Sequence, residues 1–94
     1  MNSGINKHWY VIINPHAGSK KTQTDWPVIR KLLEAEGFNV ECVFTEYQYH
    51  ATELAKNAIQ ANGFLKIIVV GGDGTLNEVL NGVFLQDKYK PTDI

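Results

Sequence analysis

IIVVGGDGTLNEVLNG, residues 67–82, is the stretch on which the fold turns. Its first four residues, Ile67-Ile68-Val69-Val70, are apolar and β-branched, which predicts a central strand buried on both faces. Gly71 to Gly74 form a turn, and Leu76, Val79, Leu80, Val83 and Phe84 then recur at helical spacing. Thr75 and Glu78 stand three apart, as in a capping box, so the helix is expected to begin at Thr75. A strand that passes through a glycine-rich turn into a helix N-terminus is a phosphate-binding arrangement. The first helical N–H groups are free, the helix dipole favours an anion, and glycines admit a close ligand or a positive φ.

The same alternation extends toward the N-terminus. Trp9-Tyr10-Val11-Ile12-Ile13 is a second continuous apolar run, ended by Asn14-Pro15. A polar loop, His16 to Asp25, contains Gly18, Ser19, Lys20 and Lys21, whose lysines are read as solvated. Trp26, Ile29, Leu32 and Leu33 predict a helix with Trp26 and the Leu32-Leu33 pair in the core, Pro27 near its start and Gly37 at its stop. From Phe38 to Phe44 the pattern alternates, with Phe38, Val40, Cys42 and Phe44 on one face and Asn39 and Glu41 on the other; this is a half-exposed strand near a sheet edge. Ala51, Leu54, Ala55, Ala58 and Ile59 then give a helix that Gly63 ends. The order βαβαβα implies an α/β fold, a three-layer Rossmann-like parallel sheet with right-handed crossovers. The two continuous runs should lie side by side, giving the strand order second, first, third. The ligand crevice then falls between the first and third strands, where Asn14 and Gly71 face each other.

Composition narrows the function classes. The 94 residues suit one domain, with 44% hydrophobic and 20% charged residues. A net charge of −1 carries no electrostatic footprint for nucleic acid. One cysteine, Cys42, cannot form an internal disulfide and reads as core, which favours a reducing, cytoplasmic setting. No run approaches the roughly 18–20 apolar residues of a membrane span. Zinc-ligand spacing is lacking. Gly18-Ser19-Lys20-Lys21-Thr22 does not have the order of a Walker loop, and Asn77 stands where the dinucleotide fingerprint needs its third glycine.

The run GGDGTLNEVLNG resembles the signature of the diacylglycerol kinase catalytic domain, shared with sphingosine kinases and bacterial lipid kinases. Asn14-Pro15-His16-Ala17-Gly18 is similar to the segment that ends the family's first strand, Thr45 stands where the family has an ATP-contacting threonine, and His50-Ala51 with Leu54 and Ala55 fits its next helix. The resemblance runs from Trp9 to about Phe84. NAD kinases and phosphofructokinases share the Gly-Gly-Asp-Gly-Thr core, so an NAD kinase-like enzyme and a non-catalytic nucleotide-binding module stand as alternatives; the continuation Leu76 to Gly82 favours the lipid kinases.

The resemblance implies ATP and Mg²⁺ as cofactors. The acceptor is a lipid hydroxyl, of diacylglycerol or a related lipid, met at a membrane surface by a cytoplasmic or peripheral protein. The implied nucleotide-binding residues are Asn14, Thr45, Gly71, Gly72, Asp73, Gly74, Thr75, Leu76 and Asn77. Asp73 has two readings, a residue that orients the loop or acts near Mg²⁺, and a turn aspartate bonding its own backbone. His16 and His50 read as polar loop and helix-start residues. The family's later Gly-Thr-x-Asn-Asp segment and C-terminal β-rich domain have no counterpart here. Residues 1–94 are thus expected to be the N-terminal nucleotide-binding part, with no catalytic residue of their own and no assigned metal ligands. A third strand without a fourth beside it leaves an edge expected to be covered by the tail or by a second copy.

Overall fold

The computed structural model describes residues 8–16, 21–61 and 66–85. Six elements follow in order: β1 (His8–Ile13), α1 (Lys21–Ala35), β2 (Asn39–Phe44), α2 (His50–Gln60), β3 (Ile67–Val70) and α3 (Asp73–Leu85). The strands form one parallel sheet in the order β2-β1-β3, as the apolar patterns predict. Both faces are covered. Tyr10 and Ile12 of β1 and Ile67 of β3 pack with Ala51, Ala55, Ala58 and Ile59 of α2 and Val79 of α3. Val11 and Ile13 point to the opposite face and pack with Val40 and with Trp26 of α1. Continuous apolar runs are what such double burial requires.

The register fixes the place of the site. Ile13 is level with Phe44 on one side and with Val70 on the other. The next residues, Asn14, Thr45 and Gly71, therefore leave the sheet side by side. Two further bonds extend the ladder: Asn14 N–H donates to the Val70 carbonyl at 2.8 Å, and Thr45 N–H donates to the Ile13 carbonyl at 2.8 Å.

Small residues let α2 and α3 approach closely. A Cβ built on Gly82 would lie 2.3 Å from the Thr52 carbonyl oxygen and 2.9 Å from the Ala55 Cβ, so glycine is a steric requirement there. The Thr52 hydroxyl donates to the Glu78 carbonyl at 2.8 Å and ties the two helices together.

Helix α1 ends as its sequence indicates. Gly37 has φ 90°. Its N–H donates to the Glu34 carbonyl, and that of Phe38 reaches back to Leu33, each at 3.0 Å. This is the paired bonding of a Schellman stop, with Phe38 and Leu33 in the same apolar cluster.

Four expectations are corrected. Helix α1 begins at Lys21, well before Trp26, and Pro27 lies inside it, at the loss of the helical bond to the Gln23 carbonyl. Leu32 is 64% exposed and Ile29 is also exposed, whereas Trp26 and Leu33 face the sheet. At 3.6 residues per turn, Leu32 lies roughly 120° round the helix from Trp26. A sheet of three strands, roughly 10 Å between its outer strands, offers nothing beneath that side. Phe44, the last residue of the edge strand β2, is likewise exposed. Finally β1, not β3, is central: among the described residues β3 pairs on one side only. Gly18, Ser19, Lys20, Gly63 and the tail from residue 86 onward lie outside the described residues, as does the expected tail cover of the β3 edge.

Candidate nucleotide-binding site

The site is built where β1, β2 and β3 end and α3 begins. Helix α3 starts at Asp73, two residues earlier than the capping-box spacing predicts. Leu76 N–H donates to the Gly72 carbonyl at 3.1 Å, the first bond of the helix, so Gly72 holds the cap position. Thr75 does not cap because its side chain is turned inward. The residue is 5% exposed, and its hydroxyl oxygen accepts a bond from Asn14 Nδ2 at 3.1 Å. Asn14 is held from its other end too, since Oδ1 accepts the His16 N–H at 3.0 Å. This half-buried side chain thus joins the end of β1 to the first turn of α3.

The glycines of the loop differ in what they require. A Cβ on Gly71 would meet the Thr75 hydroxyl oxygen at 2.7 Å, so Gly71 is needed for that residue to fit. Around Gly72 and Gly74 there is nothing within 4 Å of where a Cβ would sit. Neither has a left-handed φ; among the described residues Gly37 and Tyr49 are the ones in that region. Of the two uses that glycine allows in this turn, a close ligand or a positive φ, the second is not taken up at 72 or 74. The loop enters the helix directly, with no left-handed residue. The Cβ positions of Gly72 and Gly74 are thus open at the start of the helix, where the peptide N–H groups of Asp73, Gly74 and Thr75 precede the first helical bond. Those donors and the helix dipole suit an anion.

Beside this surface lies a cavity of about 280 Å³. Asn14, Thr45 and Thr75 all line it, so three of the sequence-predicted site residues meet on one wall. Gly71, Gly72, Asp73, Gly74, Leu76 and Asn77 do not line it; they belong to the turn and the first turns of the helix alongside. The cavity extends over the end of β2 through Glu46, Tyr47 and Gln48, farther than a crevice confined to β1 and β3. His16 and Glu78 complete its wall. Sequence reasoning had no motif for Glu46, Tyr47 and Gln48. The signal available was their position directly after a parallel strand, on the side of the sheet where such folds bind ligands. Slight local desolvation, the bond to Glu53 and the charges of Glu53 and Glu46 raise the exposed Tyr47 hydroxyl above its usual pKa.

Among the described residues no group of three or more His, Cys, Asp or Glu side chains is placed to hold a metal ion. The carboxylates near the site are Asp73, in the first turn of α3, and Glu46 and Glu78 on the cavity wall. That supply fits Mg²⁺ bound chiefly through phosphate oxygens and water, with Asp73 at the helix start as the protein carboxylate.

The sequence pattern described as the diacylglycerol kinase catalytic domain matches residues 8–92. The chain belongs to this family. A Bacillus subtilis (strain 168) protein, provisionally named lipid kinase YtlR, is 40% identical over 78 residues, 81% of this chain and 25% of that protein. The diacylglycerol kinase of Staphylococcus carnosus (strain TM300) is 35% identical over 79 residues, 84% of this chain and 26% of the relative. The sphingoid long chain base kinase 4 of Schizosaccharomyces pombe (strain 972 / ATCC 24843) is 33% identical over 85 residues, 89% of this chain and 18% of its own length. A crystal structure of a diacylglycerol kinase from Bacillus anthracis str. Sterne superposes with a TM-score of 0.76 at 32% identity, covering 93% of this chain and 31% of that one. This diacylglycerol kinase-family chain thus spans about a quarter to a third of the bacterial relatives and solved structure it matches. Family membership favours the lipid-kinase reading over the NAD kinase-like alternative that the Gly-Gly-Asp-Gly-Thr core leaves open. Among the described residues no helix is long and apolar enough to cross a membrane.

Proposed function

We propose that residues 1–94 form the ATP-binding part of a lipid kinase that transfers the γ-phosphoryl group of ATP to a lipid hydroxyl, of diacylglycerol or a related lipid. The observation that carries this reading is the open space over Gly72 and Gly74 at the start of α3, beside the cavity reached by Asn14, Thr45 and Thr75. Neither packing nor φ asks for glycine at 72 or 74, whereas a phosphate drawn close to the peptide N–H groups does.

ATP, when bound, supplies the phosphoryl group and, with Mg²⁺, the charge neutralisation that phosphoryl transfer needs. The residues of this chain position and hold. The N–H groups of Asp73, Gly74 and Thr75 donate to phosphate oxygens, and Asn14 keeps the first turn of α3 against β1 through Thr75. Asp73 is the carboxylate best placed to help a metal ion at the same phosphates. The acceptor hydroxyl and the group that removes its proton come from outside these residues. A lipid acceptor is in line with the names of the relatives, and such an acceptor would be met at a membrane surface by a cytoplasmic or peripheral protein. The test is calorimetric titration of the 94-residue chain with ATP in the presence of Mg²⁺. Saturable binding lost on adding excess competing ATP analogue is expected, and a chain that shows no binding up to millimolar ATP would sink the reading.

A further inference from the structure

We infer that Tyr47 is the platform on which the nucleotide base stacks, an inference that rests on the ATP reading above. Tyr47 lies three residues beyond β2 and lines the same cavity as Asn14, Thr45 and Thr75. Its ring is held in place. One face lies on the His50 imidazole, with centroids 4.2 Å apart and planes 17° from parallel. Its hydroxyl donates to Glu53 Oε1 at 3.2 Å. His50 is fixed in turn, because its Nδ1 accepts the Glu46 N–H at 2.9 Å. Yet Tyr47 is 57% exposed and belongs to neither apolar cluster. The stack on His50 and the bond to Glu53 thus hold an aromatic plane outside the core, with more than half of the residue left exposed at the cavity.

The charges on the cavity wall divide the ligand. Glu46 and Glu78 both line it and repel phosphate, so the cavity suits the uncharged base and the ribose hydroxyls rather than the polyphosphate. The polyphosphate belongs over Gly72 and Gly74. Thr75 belongs both to the first turn of α3 and to the cavity wall, so a nucleotide with its phosphates at the helix start reaches Tyr47 with its other end. A pre-oriented aromatic ring binds a base with little ordering cost, and stacking is tolerant of base identity. ATP and GTP should therefore depend on Tyr47 alike.

The experiment compares ATP with inorganic tripolyphosphate, each with Mg²⁺, binding to the 94-residue chain and to Tyr47→Ala and Tyr47→Phe. Wild type should bind ATP more tightly than tripolyphosphate. Tyr47→Ala should weaken ATP roughly 5- to 20-fold, the lower part of the stacking range for a partly exposed ring, and leave tripolyphosphate unchanged. Tyr47→Phe should keep most of the ATP affinity. If Tyr47→Ala weakens both ligands equally, the ring shapes the loop and does not hold the base. If wild type binds the two ligands equally, the base makes no contact and the inference fails while the phosphate site stands. If wild type binds neither, the ATP reading itself fails and this one with it.

Discussion

Gly74→Ala separates a glycine kept for a ligand from one kept for the fold. Gly74 is the second residue of α3, has ordinary right-handed backbone, and has nothing within 4 Å of the Cβ position. Alanine there strains nothing and restricts the unfolded chain, so it should stabilise the protein by about 0.4–1 kcal/mol. For a domain of this size that is a rise in Tm of about 2–8 °C. The added methyl group stands where a phosphate oxygen would approach the N–H groups of the first turn. Loss of even one hydrogen bond to a charged group costs about 1.5–3 kcal/mol, a weakening of ATP binding of about tenfold or more. Thermal unfolding followed by circular dichroism reads the first effect, and calorimetric titration with ATP and Mg²⁺ reads the second. Higher stability joined to weaker binding is the expected pair. Higher stability with unchanged affinity would refute the reasoning, since the open space would then serve no phosphate, and lower stability would show that the space is not open.

Gly82→Ala should cost about 1–3 kcal/mol by denaturant unfolding, because its methyl group meets the Thr52 carbonyl where α2 and α3 touch. Tyr49 has φ 69° and is exposed, so Tyr49→Gly should stabilise by up to about 1 kcal/mol through removal of left-handed strain, seen as a higher urea midpoint. Burial and the nearby Glu41 carboxylate raise Tyr10 above its ordinary pKa of 10.0. Its folded form therefore holds its proton longer than the unfolded chain does, and the associated stability is present below pH 10 and lost as pH climbs through the folded value; the alkaline decline in Tm should be shallower in Tyr10→Phe. The purified 94-residue chain, given labelled ATP, Mg²⁺ and diacylglycerol, should transfer no phosphate; turnover that survives removal of contaminating kinases and vanishes in Asp73→Ala would show that the catalytic machinery lies within these residues.

The sequence by itself determined the layers and the sheet. Continuous apolar runs at Trp9–Ile13 and Ile67–Val70 can be buried only between two helical layers, and the alternation from Phe38 to Phe44 marks a strand at the edge. Order and parallel pairing followed from those patterns because burial in a sheet is a property of each strand's own side chains. Gly37 announced its helix stop for a similarly local reason, a left-handed φ that costs glycine nothing. What local pattern could not decide was the use of each side chain whose partner is distant in the chain. Thr75 and Glu78 have the spacing of a capping box, yet the Thr75 hydroxyl binds Asn14, 61 residues away, and the helix starts two residues early as a result. Leu32 has the composition of a core residue, but whether a sheet lies beneath it depends on how far that sheet extends. Gly71, Gly72, Gly74 and Gly82 are the same residue in the sequence; tertiary packing alone makes 71 and 82 steric necessities and leaves 72 and 74 open to a ligand. Tyr47 reaches the cavity only because the parallel register sets the ends of β1, β2 and β3 level, which brings loops from three parts of the chain to one wall.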